Sequence, residues 1–200
     1  MTSFIYLASQ SPRRRQLLEQ LGIVYELLLP SASEDAEALE SEIPNELPTD
    51  YVRRVTSLKL DAALKRRADR CLPEAPILCS DTTVALESRI FGKPHDLKDA
   101  VRMLCELSGH THRVLTAVVL GTNSRRVSAF SESLVTFAAM TQKQIEAYVS
   151  TGEPMGKAGA YAIQGLAAAY VLRLEGSYTG IMGLPMFETA NLLRSFDFEV

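Results

Sequence analysis

The chain has 200 residues, 46% of them hydrophobic and 22% charged, which is enough for one good core and unlike a chain disordered throughout. Lys and Arg number 21 against 24 Asp and Glu, so the formal net charge is −3 and nothing global points to nucleic acid. Any anionic ligand has to be held by a local basic cluster. Cys71, Cys79 and Cys105 are odd in number and lack CxxC spacing, which argues against a disulfide framework or a zinc site and fits a reducing compartment. Met1 to Ala8 carries no basic region ahead of a long apolar run, and no apolar stretch is long enough to span a bilayer, so the cytoplasm is the expected location.

Phe4 to Ala8 reads as a short strand broken by Ser9-Gln10-Ser11-Pro12. Ser11 is a good N-cap and Pro12 a good first helical residue; Leu17, Leu18 and Leu21 give that helix an apolar face and Gly22 stops it. Val24 to Leu29 reads as a second strand. Residues 30–49 are rich in Pro, Ser and acids without an apolar period, and read as a loop. A helix is predicted from Thr49 to Ala68, with Val52, Val55, Leu58 and Ala62 at helical spacing and Arg53, Arg54, Lys59, Lys65, Arg66 and Arg67 on the other face. Ile77 to Cys79 reads as a buried strand leading into Ser80-Asp81-Thr82-Thr83, and Val84 to Phe91 as a hairpin ended by Gly92-Lys93-Pro94. Leu97 to Leu107 is an amphipathic helix. His112 to Leu120 and Arg126 to Phe137 read as strands of one hairpin. Thr141 caps a helix to about Ser150, residues 152–159 are a glycine-rich loop, Ala167 to Leu174 is a strand, residues 176–183 are a second glycine-rich loop, and a last helix runs from Pro185 to near Arg194. Mixed strands and helices indicate an α/β protein, with no linker and a single domain over 1–200.

Four segments carry possible chemistry. In Ser11-Pro12-Arg13-Arg14-Arg15 the arginines fill the first turn of a helix, against the helix dipole. The turn is either solvated or an anion cradle in which free amides and guanidinium groups converge. Asp81 beside a buried strand is either a turn-capping acid or a carboxylate for a divalent cation or a water proton. Lys93, between Gly92 and Pro94, is either a surface lysine or a fixed charge for phosphate. The glycines of 156–165 and 176–183 serve tight turns or close approach to a ligand. Neither segment matches a P-loop or GxGxxG. His110 and His112 share one face of a strand without a third ligand nearby.

Together the segments LASQSPRRRQLLEQLGI, SDTTVAL, GKP, LSGHTHRVLTAV, GEPMGKAGAYAIQG and GSYTGIMGLPMFET resemble the Maf-like nucleotide pyrophosphatases, in the family's order and over nearly the whole chain. The resemblance implies an α/β fold of the Maf and ITPase-like kind, a twisted mixed β-sheet, elongated and two-lobed with a central cleft. It also implies a homodimer and hydrolysis of the α–β phosphoanhydride of a nucleoside triphosphate with Mg²⁺ or Mn²⁺. Arg13 and Arg14 match the family's arginine pair, Asp81 its proposed general base, Lys93 its Gly-Lys-Pro lysine and Lys59 its lysine in the helix that follows the second strand and its acid. Glu34 falls where the family places an acid after the second strand, with Asp35 the alternative. Glu34 and Asp81 are thus the expected metal ligands, and Ser9 with the helix amides is expected to cradle phosphate.

Arg13, Thr82, Lys93 and Gln164 bear on the base. The neutral amide of Gln164 suits the imide edge of uracil or thymine, whereas a cationic 7-methylguanine would prefer a carboxylate. The motif setting looks like the dTTP and UTP branch. The alternatives are a 7-methyl-GTP pyrophosphatase and a non-catalytic, nucleotide-binding regulator of septum formation. No nucleic-acid or membrane partner is expected.

Overall fold

A computed structural model of the chain describes residues 4–31, 34–35 and 38–200. Met1 to Ser3 lie outside the described residues, as do Ala32, Ser33, Ala36 and Glu37 of the expected loop. The elements in order are β1 (Ile5–Leu7), α1 (Pro12–Gln20), β2 (Tyr25–Leu27), a 3-10 turn at Ala38–Glu40, α2 (Pro48–Asp69), β3 (Ile77–Leu86), β4 (Arg89–Phe91) and α3 (Leu97–Leu107). They continue with β5 (Thr111–Gly121), β6 (Arg126–Phe137), α4 (Gln142–Val149), 3-10 turns at Ala158–Ala160 and Leu166–Tyr170, β7 (Val171–Glu175), α5 (Tyr178–Met182) and α6 (Met186–Ser195).

Seven strands form one mixed sheet in the order β2-β1-β3-β5-β6-β7, with β4 beside β3. β1 runs parallel to β2 and β3, and every other pairing is antiparallel. Helix α2 packs Val52, Val55, Leu60 and Ala63 on one face of the sheet, against Ile77, Cys79 and Ala85 of β3 and Leu115 and Val119 of β5. The opposite face, with Leu78, Val84, Val114 and Val118, meets α1, α3, α4 and α6. A fully buried Leu or Val contributes about 1.5–3 kcal/mol, so these two faces supply most of the cohesion. The ends of α2 suit its dipole, with Pro48 and Asp50 in the first turn and Arg66 and Arg67 in the last.

Three elements differ from the sequence reading. The run 77–83 does not leave the strand at Ser80: β3 is continuous to Leu86, because β5 pairs with it from Ile77↔Gly121 to Ala85↔Arg113. Asp81 is therefore in mid-strand. The segment 176–183 is not all loop, since Ser177 Oγ accepts the Gly180 amide at 3.0 Å and caps the short helix α5. Strand β7 begins only at Val171, because Leu166–Tyr170 coils as a 3-10 turn.

His112 on β5 is buried, its Nε2 lies 2.9 Å from the Tyr161 hydroxyl, and it packs on Phe137 and Tyr161. Burial pushes its pKa from 6.5 down to about 4, so the folded state holds it neutral. Between these two values the unfolded chain binds the proton and the folded chain does not. The associated stability is full above pH 6.5 and is lost as pH falls through about 4, amounting to about 3 kcal/mol. Urea melts at stepped pH should show this slope, and His112→Gln should flatten it between pH 6.5 and 4 whatever its absolute stability. An unchanged slope would show that His112 is not held neutral.

Candidate active site

The cleft opens where the sheet has a gap. β1 ends with the pair Leu7↔Leu78, and the antiparallel β4 ends with Phe91↔Val84. Among the described residues, Cys79 to Thr83 therefore have no strand on that edge of β3. The cleft at this gap has a volume of about 920 Å³, and Ser9, Arg13, Lys59, Lys93, Asp81 and Gln164 all line it. Strand alternation sorts the residues around the gap. Odd-numbered residues of β3 face α2, and even-numbered ones face α1 and α5.

Asp81 therefore turns toward α2. It is 7% exposed, and its Oδ1 accepts a hydrogen bond from Lys59 Nζ at 2.6 Å. The same ammonium donates to Glu40 Oε1 at 2.7 Å, and the other oxygen of Glu40 accepts from Lys93 Nζ at 2.9 Å. Lys59, Lys93, Asp81 and Glu40 thus form one alternating chain of charges. Burial pushes the Glu40 carboxyl up, but the two lysines outweigh it and hold it below the ordinary glutamate value. The Tyr51 hydroxyl fixes the turn by donating to the Glu40 carbonyl at 2.8 Å.

Thr82 and Ser80 turn the other way. Arg14 Nε donates to the Gly183 carbonyl at 2.7 Å, and its Nη1 and Nη2 reach Ser9 Oγ at 3.3 Å and Thr82 Oγ1 at 3.4 Å. The Ser80 hydroxyl also reaches the Gly183 carbonyl, at 2.9 Å. Gly183 has φ 113°, and a Cβ there would stand 3.3 Å from Arg14 Nε, so both backbone and space favour glycine. Burial pushes the Arg14 pKa down and the nearby Asp81 carboxylate pushes it back up. Arg13 Nε donates to the Met182 carbonyl at 3.1 Å. Ser11 occupies the N-cap position of α1, but its hydroxyl makes no cap bond; Ser9 Oγ takes the Ser11 amide instead, at 3.2 Å.

The acid expected beside Asp81 was Glu34. Its carboxylate lies at the cleft edge but is bonded to Arg66, at 2.7 Å, and to the Ser31 amide, at 3.0 Å. The Arg66 hydrogen bonds, with Ser31, hold its carboxyl down to about 2. Asp35 is engaged too, its Oδ1 accepting the Ala38 amide at 3.0 Å. The carboxylate that shares Lys59 with Asp81 is that of Glu40. Sequence reasoning missed it, because Glu40 lies in an aperiodic acidic segment and no local pattern distinguishes it from its neighbours. Lys157 was missed as well. It lines the cleft near Arg13, and both burial and Arg13 lower its pKa. Its position inside the GEPMGKAG segment was the available signal. No group of three or more His, Cys, Asp and Glu side chains is placed to hold a metal among the described residues.

Gln164 and Thr82 lie in the same cleft, Gln164 exposed at the third position of a turn closed by the Gly165 amide on the Ala162 carbonyl at 3.0 Å. The structure thus brings Ser9, Arg13, Arg14, Lys59, Asp81, Thr82, Lys93 and Gln164 around one cleft, with Glu34 at its edge.

A family model described as Maf-like protein matches residues 4–196. A protein of Albidiferax ferrireducens named dTTP/UTP pyrophosphatase is 66% identical over 200 residues, covering 100% of both chains. One of the same name from Cupriavidus metallidurans is 63% identical, covering 97% of each chain. One from Burkholderia pseudomallei is 57% identical, covering 96% of this chain and 93% of its own. Among solved structures, the Staphylococcus aureus Ham1 protein aligns over 96% of both chains with a TM-score of 0.47 and 13% identity. The matched stretch begins just before β1 and ends just after α6, and so takes in every segment that lines the cleft. The chain belongs to the Maf-like family.

Proposed function

We propose that the chain hydrolyses dTTP and UTP to the monophosphate and pyrophosphate. The observation that carries the reading is the Lys59–Asp81 pair at the sheet gap, at 2.6 Å, in a chain with full-length relatives of that activity by name. It is a hydrolase acting on a phosphoanhydride. Asp81 takes a proton from water as the water oxygen bonds to the α-phosphorus. The bond from that phosphorus to the α–β bridging oxygen breaks, and pyrophosphate leaves with the electron pair. Lys59 orients Asp81 through its hydrogen bond to Oδ1. Lys59, Lys93 and Arg14 stabilise the charge gathering on the leaving group, and Ser9 and the α1 amides receive a phosphate. Gln164, Thr82 and Arg13 select the base.

Mg²⁺ or Mn²⁺ belongs to this reading. Asp81 Oδ1 and Glu40 Oε1 both reach the one Lys59 ammonium, so two hard oxygen donors already converge on a cationic centre, which suits such an ion. Asp81 with Glu40 would hold it. Glu34 would join only by leaving Arg66. When bound, the ion would neutralise phosphate charge and acidify water. The free thiols Cys71, Cys79 and Cys105 support a cytoplasmic location, and no described helix is long and apolar enough to cross a membrane. A homodimer is supported by Leu172 on the edge strand β7 and Phe187 on α6, apolar side chains 71% and 75% exposed in the single chain.

Purified protein with Mg²⁺ or Mn²⁺ should release pyrophosphate, not orthophosphate, from dTTP and UTP in preference to CTP, ATP, GTP and 7-methyl-GTP. Release of orthophosphate would overturn α–β cleavage, and release of nothing would leave the regulatory nucleotide-binding protein as the reading. Asp81→Asn should lower kcat at least about a hundredfold while nucleotide binding persists, and full activity in that variant would exclude Asp81 as the base. Gln164→Glu should shift turnover from UTP toward 7-methyl-GTP; a constant ratio would mean that Gln164 does not read the base. Glu40→Gln should weaken Mn²⁺ binding at least about tenfold, read from the free-ion EPR signal without nucleotide, and an unaltered affinity would remove Glu40 from the cation site.

A further inference from the structure

Glu153, in the turn after α4, has no role in the chemistry above, yet its side chain is fully engaged. Its Oε1 accepts the Tyr148 hydroxyl at 2.8 Å and the Ala167 amide at 3.5 Å, and its Oε2 accepts the Leu166 amide at 3.0 Å. Its own carbonyl accepts the Lys157 ammonium. The carboxylate also lies flat against Gly165: a Cβ on that residue would come within 2.3 Å of Glu153 Oε1 and 2.5 Å of its Oε2. Only glycine permits this approach. Burial raises the Glu153 carboxyl, but the Leu166 amide, the Tyr148 hydroxyl and the Ala167 amide together lower it further, so the group stays ionised.

Three of these contacts, with Gly165, Leu166 and Ala167, fall on the residues that directly follow Gln164. On the other side of Gln164, Tyr161 is held by its hydroxyl on His112 at 2.9 Å, and the Gly165 amide closes the turn on Ala162. Gln164 itself is exposed toward the cleft. Its backbone is therefore clamped from both ends, while its side-chain amide makes no hydrogen bond among the described residues. Reading one edge of a base by hydrogen bonds demands placement within about 0.5 Å, and a glutamine at the tip of a loose turn would not hold it.

We propose that Glu153 is a positioning residue for base selection: its carboxylate fixes the turn at Gly165–Ala167 and so holds the Gln164 amide in place for the uracil or thymine edge. The proposal rests on the reading that Gln164 selects the base. Among the described residues Glu153 has no hydrogen bond or ion pair to Asp81, Lys59 or Lys93, and its bond to the cleft cation Lys157 comes from its backbone carbonyl, which Glu153→Gln leaves in place; the side chain therefore acts on base binding rather than on phosphate chemistry.

The test uses the full chain with Glu153→Gln, Tyr148→Phe and Gln164→Ala. Steady-state kinetics on UTP and CTP are combined with calorimetric binding of inorganic pyrophosphate. Glu153→Gln is expected to raise KM for UTP by about tenfold, to keep kcat within about twofold, and to narrow the UTP-to-CTP ratio of kcat/KM. Pyrophosphate affinity should not change. Tyr148→Phe, which removes one of the bonds to Glu153, should move the ratio the same way by less, and carries the test if Glu153→Gln does not fold. The proposal is overturned if Gln164→Ala narrows the ratio while the folded Glu153 and Tyr148 variants leave it at the wild-type value. It is also overturned if those variants lose activity on UTP and CTP alike together with pyrophosphate binding, which would mark a general structural role. If Gln164→Ala leaves the ratio untouched, base reading by Gln164 fails and the role of Glu153 fails with it.

Discussion

The cleft exists because β3 is longer than its neighbours on one edge. β1 stops at Leu7, opposite Leu78, and β4 reaches back along β3 only as far as Val84. β5 pairs with the other edge of β3 from Ile77 to Ala85, so the strand continues unbroken across the gap. Side chains on a strand alternate between faces, so the gap is reached from two sides. Asp81 meets a lysine from α2, whereas Ser80 and Thr82 meet Arg14 and the carbonyl of Gly183. One stretch of backbone thus addresses two clusters of different chemistry. The first is a carboxylate with ammonium groups, and the second is a guanidinium held by neutral oxygens.

The charges at the gap are costly to bury and are arranged to offset that cost. Removing one partner of a buried pair typically destabilises by about 3–5 kcal/mol, since the other charge is stranded. Here the charges are shared rather than simply paired: Lys59 serves both Asp81 and Glu40, and Glu40 serves both Lys59 and Lys93. Arg14 spends its hydrogen bonds on Gly183, Ser9 and Thr82, which ties the start of α1 to the end of α5 and to β3. Such a network holds cationic groups in place before any anion arrives. That is the condition under which electrostatic stabilisation is most effective, because no dipoles need to reorganise during the reaction.

The sequence made local features legible. Ser-Pro ahead of a helix and the β5–β6 hairpin follow from spacing and turn residues, and each is present; helix α2 is present too, but of Val52, Val55, Leu58 and Ala62 only the two valines join the core, beside Leu60 and Ala63, and Arg66 and Arg67 of the expected basic face are buried. The site residues were legible chiefly as a set of motifs in a fixed order. The continuity of β3 was hidden, because Ser80-Asp81-Thr82-Thr83 has the composition of a turn and becomes strand only through pairing with distant β5. Glu40 was hidden for a related reason. Its partners come from α2 and from the loop after β4, and nothing in an aperiodic acidic stretch tells which acid the folded chain will bring to them. Glu153 was quoted only as part of a glycine-rich segment. Its role depends on the approach of Gly165, which is a contact in space.

The alternation of β3 also limits how such a site can change over time. A single inserted residue ahead of Asp81 would slide the strand by one position relative to β5 and exchange the faces of Asp81 and Thr82. The carboxylate would then point at Arg14 and the hydroxyl at Lys59, and both clusters would fail at once. Variation in length is therefore excluded from this strand and left to the connections around it, namely the segment carrying Glu40 and the turns around Lys93 and Gln164. New substrate preferences in a chain of this design should arise by remodelling those connections, while the strand they surround keeps its count of residues.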